Sequence, residues 1–189
     1  MDTLRTFVAI DVKVDRVLDG KWKELKTLLK DDSIKWVDEQ SLHLTLFFLG
    51  NTPIDLIDQI AQKLELGLRG FSSFQIKLQG FGLFGSPNLP RIIWVGMAKS
   101  DCLFSLMKIV RASVLSFGFE EPAGDFSPHF TLGRVRQLKS STDLINYINK
   151  NNSKIVQEAE VKSVIFYQSV LTPTGPVYKP LKEIKLLSP

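Results

Sequence analysis

The sequence has few of the features that mark exported, disulfide-bonded or membrane-spanning proteins. Cys102 is its one cysteine, which excludes an internal disulfide and leaves a cysteine-based zinc site short of ligands. The apolar runs are short, and the first residues lack the apolar segment and small-residue cleavage site of a secretory signal. We therefore expect a soluble, cytoplasmic protein that does not insert into a membrane.

Charge and composition set further bounds. The net charge of +4 and the isoelectric point near 9.1 would help an anionic substrate approach, but they fall short of a protein that coats nucleic acid. Since 44% of the 189 residues are apolar, the chain can form one substantial core or two small lobes. No feature of the sequence demands an oligomer, so we expect a monomer.

Histidine is scarce as well, and both copies stand in matched surroundings. His43 and His129 are each followed by threonine two residues later, Thr45 and Thr131, and by leucine three residues later. Side chains two residues apart on a strand project from the same face, so each segment would present an imidazole beside a hydroxyl. Because histidine exchanges protons near neutral pH, the pair indicates one general acid and one general base.

Hydrophobic periodicity predicts alternating strands and helices. We expect strands at 4–10, 34–37, 42–49, 74–79, 91–96, 155–161, 163–171 and 177–186, with another at the second histidine. Helices are predicted after the first strand, over 53–68 with Thr52 as its cap, from a cap at Asp101 to a stop at Gly118, and near 141–150. The glycine-rich segment 80–87 is predicted as a loop.

The two histidines lie about half the chain apart, each among neighbouring strands and helices. We therefore predict an α+β protein in which two lobes of similar plan face each other. They should form a single domain over 1–189, since no linker rich in glycine, proline or serine separates them. Two histidine strands across the cleft would bring two imidazoles and two hydroxyls to one small target.

Displacement at phosphorus suits such a site, because the attacking and leaving oxygens lie roughly in line and both need proton transfer. One histidine could deprotonate water and the other protonate the departing oxygen, while the threonine hydroxyls bind the non-bridging oxygens. This chemistry needs no metal, and threonine two residues after a histidine is not a useful zinc ligand.

Other interpretations compete with this one. A single buried histidine beside a threonine is usually structural, although the matched pair favours function. Asp125 could orient His129 or bind a metal, but it more simply caps a turn with Gly124 and Pro122. Ser127 could act as a nucleophile, yet the sequence has no nucleophile-elbow pattern and the other histidine would be unexplained.

These features resemble the 2H phosphoesterase superfamily, named for two H-x-[ST]-x motifs, and within it the RNA 2′,3′-cyclic phosphodiesterases historically called 2′-5′ RNA ligases. The resemblance spans nearly the whole chain. Beyond the motifs it rests on the segments 5–10 (RTFVAI), 36–50 (WV to FFLG), 81–84 (FGLF), 90–96 (PRIIWVG), 127–134 (SPHFTLGR) and 169–178. One departure is Gly85, where the family often has proline after the F-G-x-F run.

The resemblance implies a bilobal fold, in which two pseudo-twofold-related lobes of antiparallel sheet with outer helices surround a central cleft. It implies metal-independent, cofactor-free hydrolysis of a terminal 2′,3′-cyclic phosphate on a tRNA fragment or oligonucleotide to a 2′-phosphomonoester, with reversible 2′-5′ ligation. His43 would protonate the leaving 3′ oxygen, His129 would activate water, and Thr45 and Thr131 would bind phosphate. A binding module for RNA ends or 2′-phosphoryl nucleotides, without significant turnover, is the alternative.

Two further residues are candidates for substrate contact. A regular strand places Phe47 on the face of His43 and Thr45, where it could stack on the terminal base or only close the interface between the lobes. Arg134 lies an odd number of residues after His129, so it would reach the phosphate only if a bulge at Gly133 turned it toward the cleft.

Overall fold

The computed structural model of the protein describes residues 2–120, 127–173 and 175–188. The elements in these ranges are β1 (Thr3–Asp11), α1 (Arg16–Leu28), β2 (Ser33–Trp36), β3 (His43–Pro53), α2 (Ile57–Gly67), β4 (Phe74–Ser86), β5 (Leu89–Met97), α3 (Asp101–Leu115), β6 (His129–Gln137), α4 (Thr142–Asn151), β7 (Ile155–Val161), β8 (Ser163–Thr172) and β9 (Gly175–Lys185). Short 3₁₀ turns cover Glu39–Ser41 and Ile54–Leu56.

The strands form two antiparallel sheets, and each sheet carries one histidine. The first sheet has the order β3-β1-β8-β9 and contacts α2 and α3, whereas the second has the order β2-β6-β5-β4-β7 and contacts α1 and α4. The predicted α+β fold with two lobes is therefore confirmed. Each sheet combines strands from both halves of the chain, so neither lobe is a continuous half of the sequence.

Two helices, α1 and α3, form where apolar residues recur at helical spacing behind a polar cap. In α1 the Asp15 carboxylate accepts hydrogen bonds from the Val17 and Leu18 amides, and the apolar stripe that includes Trp22 is buried. In α3 the cap is Ser100, whose hydroxyl accepts from the Leu103 amide, and not Asp101 as predicted. No helix in the described ranges is long and apolar enough to cross a bilayer.

The prediction that Thr52 caps a helix over 53–68 is wrong. Thr52 lies in β3 opposite Leu4, and its buried hydroxyl oxygen is 2.7 Å from that of Thr6 in β1. Two buried hydroxyls that satisfy each other keep the strand going, since an unpaired one would be costly. The helix α2 therefore begins only at Ile57, after a 3₁₀ turn.

The prediction of a loop at 80–87 is also wrong, because β4 continues to Ser86 and pairs with β5. Its glycines allow close packing. A Cβ on Gly82 would lie 2.2 Å from the Trp94 ring on the neighbouring strand. Gly85 has φ +102°, and a Cβ there would lie 2.5 Å from the Leu89 carbonyl oxygen, so glycine suits the position where the resemblance led us to expect proline.

Candidate active site

The two histidines are held by the same hydrogen bond. His43 Nδ1 lies 2.7 Å from the Ser41 carbonyl oxygen, and His129 Nδ1 lies 2.8 Å from the Ser127 carbonyl oxygen. A carbonyl oxygen only accepts, so each Nδ1–H donates and Nε2 is left for substrate. A neutral ring oriented in this way offers Nε2 as a base, whereas a protonated ring offers Nε2–H as an acid.

The threonines lie on the same faces as the histidines, as the strand geometry predicted. His43, Thr45, His129 and Thr131 line one cleft between the two sheets, and all four are half-buried. The residues between and after them, Leu44, Leu46, Phe130 and Leu132, are buried in the core. The cleft therefore presents two imidazoles and two hydroxyls on rigid strands.

The same irregularity follows both motifs. Leu46 in β3 and Leu132 in β6 have no partner in their ladders, because the pairing skips one residue at each. An extra residue of this kind is a bulge, and it reverses which later residues face the cleft. The pseudo-twofold likeness of the two strands thus extends beyond the histidine and threonine.

The bulge makes the prediction for Phe47 wrong. Phe47 is 4% exposed and packs in the core, so it does not share the face of His43. Phe48 takes that face and is 42% exposed, with its ring 6.4 Å from the Phe7 ring and 4.9 Å from the Arg5 guanidinium. Regular alternation along the strand could not identify Phe48, because nothing in the local sequence marks Leu46 as the unpaired residue.

The corresponding bulge turns Arg134 toward the cleft, as the phosphate contact predicted for it would require. The skipped residue is Leu132, one position before the predicted Gly133. Gly133 instead makes room for Trp36, whose ring would lie 2.8 Å from a Cβ at that position. Arg134 lines the cleft with both histidines, and its charge helps to lower the pKa of each. Asp125 lies outside the described residues.

Aromatic rings surround each imidazole, and sequence analysis did not assign them to the site. The His43 ring centroid is 5.1 Å from Phe7 and 4.9 Å from Tyr178. His129 is 4.7 Å from Phe84 and 6.3 Å from Trp94. These rings remove water from the histidines, and burial is the main cause that lowers the pKa of both below the ordinary value of 6.5.

A carboxylate makes the two histidines unequal. Asp11 pairs with His43 across β1 and β3, so their side chains lie side by side on one face. The Tyr167 hydroxyl donates a 2.6 Å hydrogen bond to Asp11 Oδ2, and Asp11 raises the pKa of His43 against the effect of burial. Among the described residues, no carboxylate acts on the pKa of His129 in the same way.

The rest of the cleft lies beside β2 and β9. Its volume is about 370 Å³, which is in the range of small-ligand sites. Its wall is completed by residues 35–38, Ser41, Ile92, Gly175, Pro176 and Tyr178. In the described ranges, no three His, Cys, Asp or Glu side chains cluster as a metal site would require.

Comparison with known proteins gives one consistent family. Residues 14–170 match the 2′-5′ RNA ligase superfamily. A Thermotoga maritima protein named RNA 2′,3′-cyclic phosphodiesterase is 37% identical over 95% of this chain and 94% of its own length. A protein of the same name from Archaeoglobus fulgidus is 33% identical over 95% and 98%.

Solved structures show the same fold. A Thermus thermophilus protein superposes with a TM-score of 0.79 at 23% identity, covering 98% of this chain and 99% of its own. E. coli LigT complexed with 3′-AMP gives a TM-score of 0.75 at 21% identity, covering 97% and 98%.

Proposed function

Because the chain belongs to the 2′-5′ RNA ligase superfamily, we propose that it hydrolyses RNA 2′,3′-cyclic phosphate ends to 2′-phosphomonoesters with His43 and His129 as acid and base. The observation that carries this proposal is the matched pair of Nδ1 hydrogen bonds, which leaves Nε2 of both rings for substrate in one cleft. The two curated relatives described above, at 37% and 33% identity, are named for the same activity.

The proposed step is an in-line displacement at phosphorus. His129 Nε2 takes a proton from water as the water oxygen bonds to phosphorus, and the bond from phosphorus to the 3′ oxygen breaks. His43 donates its Nε2 proton to that oxygen, leaving the phosphate on the 2′ oxygen. Thr45, Thr131 and Arg134 hold the non-bridging oxygens. The same displacement with a 5′-hydroxyl in place of water would form a 2′-5′ linkage with each histidine in the same role, and cleavage of that linkage by the 3′-hydroxyl would exchange the roles.

The assignment of His43 as acid rests on Asp11. The two motifs are otherwise alike in their carbonyl partners, threonines and bulges. Arg134 opposes protonation of both rings, and the charge of His129 further opposes that of His43. Asp11 favours the protonated form of His43, and we treat it as a positioning residue because it acts through that ring.

Asp11→Asn should therefore move one limb of the pH profile. Activity requires neutral His129 and protonated His43, so kcat/KM rises with pH as His129 loses its proton and falls as His43 does. Since both pKa values lie below 6.5, we expect the wild-type maximum on the acidic side of 6.5. Asp11→Asn lowers the pKa of His43, so the alkaline limb should move to lower pH.

Tyr167→Phe provides the matched variant for this test. It keeps the Asp11 carboxylate but removes the hydrogen bond that favours its charged form, so it should move the same limb by less. A shift of the acidic limb by Asp11→Asn would mean that His43 is the less basic of the two rings, which would contradict the role given to Asp11. An unchanged profile would mean that Asp11 does not act on the reaction.

A turnover assay tests the activity itself. We expect the protein to open the cyclic phosphate of a short RNA in excess EDTA, because the proposed step needs no metal. The assay is the loss of the cyclic phosphate signal in phosphorus NMR. Tight binding of the same RNA without any loss of that signal would instead support a binding module for RNA ends.

A further inference from the structure

Two cationic side chains line the cleft, although a cyclic phosphate carries one negative charge. Arg134 stands beside the histidines, and Lys35 stands on the edge strand β2. We propose that Lys35 binds the phosphodiester that precedes the terminal nucleotide, so that the site selects RNA ends over cyclic mononucleotides. This inference rests on the proposed function, because it takes the cyclic phosphate to lie between the two histidines.

The strand register places the two cations in one row. Lys35 pairs directly with Arg134 across β2 and β6, and directly opposed residues share a face with their Cβ atoms about 5 Å apart. The charge of Arg134 acts on both histidines, so Arg134 belongs with the reacting phosphate. Lys35 lies one strand further out, at the edge of the sheet, where a chain leaving the cleft past β2 would pass.

The Lys35 side chain reaches across the cleft to the other sheet. A Cβ placed on Gly175, at the start of β9, would lie 2.8 Å from Lys35 Nζ and 3.3 Å from Cε. The ammonium group therefore lies between β2 of one sheet and the start of β9 in the other. Gly175 has φ +141° and no side chain, so the position leaves room for the amine.

The acidic residue of the cleft wall caps a 3₁₀ turn. Asp38 is the one carboxylate among the described residues of that wall, and its Oδ1 accepts a 2.9 Å hydrogen bond from the Gln40 amide at the start of the 3₁₀ turn. With Lys35 and Arg134 against Asp38, the described wall still has more positive than negative side chains. Phosphodiesters along a single strand are the anions that such basic grooves follow.

The charge of the internal linkage tests this subsite. Two dinucleotides ending in a 2′,3′-cyclic phosphate would be compared, one with an ordinary phosphodiester linkage and one with a neutral methylphosphonate of the same size. We expect wild type to prefer the charged linkage about tenfold in kcat/KM, mainly through KM, as one charge-assisted contact would give. Lys35→Ala should abolish the preference, and Lys35→Arg should keep most of it.

Salt dependence gives a second readout. Loss of one phosphate contact to a single strand should reduce the slope of log kcat/KM against log salt by about 0.7 for the charged dinucleotide. Lys63→Ala, an exposed lysine of α2 that does not line the cleft, is the matched control and should leave slope and preference unchanged.

The outcomes separate the subsite from the activity. An equal preference for the charged linkage in wild type and Lys35→Ala would overturn the subsite, whatever the turnover. If wild type hydrolyses neither dinucleotide, the proposed function fails. In that case calorimetry would measure the dissociation constants of both uncleaved dinucleotides. The ratio of the neutral-linkage constant to the charged-linkage constant, compared between wild type and Lys35→Ala, would then test the subsite.

Discussion

Replacing His43 or His129 with alanine is expected to lower kcat for cyclic phosphate opening by about 10²- to 10⁴-fold. Each ring sits in the cleft with Nδ1 bonded to a carbonyl, so its replacement removes one proton transfer and leaves the phosphate-binding groups in place. KM should change much less than kcat. Single-turnover rates with saturating enzyme would measure the chemical step directly.

The double variant His43→Ala with His129→Ala is the informative control. Groups that act in one step are strongly non-additive, so the double variant should be little slower than the slower single variant. Losses that simply multiply would mean that the two rings act in separate steps. A single variant that keeps the wild-type rate would remove that histidine from the reaction.

Arg134→Ala is expected to lower kcat/KM by about 10- to 100-fold, which corresponds to one lost hydrogen bond to a charged group. It should also move both limbs of the pH profile to higher pH. The reason is that the positive charge of Arg134 lowers the pKa of His43 and of His129, so both values rise when it is removed. The measurement is a full pH profile of kcat/KM.

Arg136 provides the matched control for this prediction. It is an exposed arginine on the same strand that does not line the cleft, and Arg136→Ala should leave both limbs in place. Arg134→Lys keeps the charge but loses the planar fork, so its limbs should stay near those of wild type while kcat/KM falls. An Arg134→Ala profile with unmoved limbs would contradict the electrostatic role.

The positions of the histidines and threonines were predictable because they depend only on the period of a strand. His43 with Thr45, and His129 with Thr131, share a face in any extended segment, and the buried Leu44 and Phe130 between them confirm the direction of the core. The α+β class followed in the same way from periodicity. These features are local, so a single sequence contains them.

Features set by pairing between distant strands were not predictable. The bulge at Leu46 exchanges Phe47 for Phe48, and it exists because β3 carries one residue more than β1 in that part of the ladder. Asp11 and Tyr167 are far apart in the sequence and meet only because β8 pairs with β1. Thr52 was a good helix cap by local rules, yet a buried hydroxyl partner on β1 kept it in the strand.

The most direct test of the two-histidine mechanism is the identity of the product formed in ¹⁸O-labelled water. A short RNA with a 2′,3′-cyclic phosphate end would be opened by wild type in excess EDTA, and the product isomer and its isotope shift read by phosphorus NMR. We predict a 2′-phosphomonoester with one ¹⁸O in each phosphate, because His129 activates water and the 3′ oxygen leaves. A 3′-phosphomonoester would contradict the account.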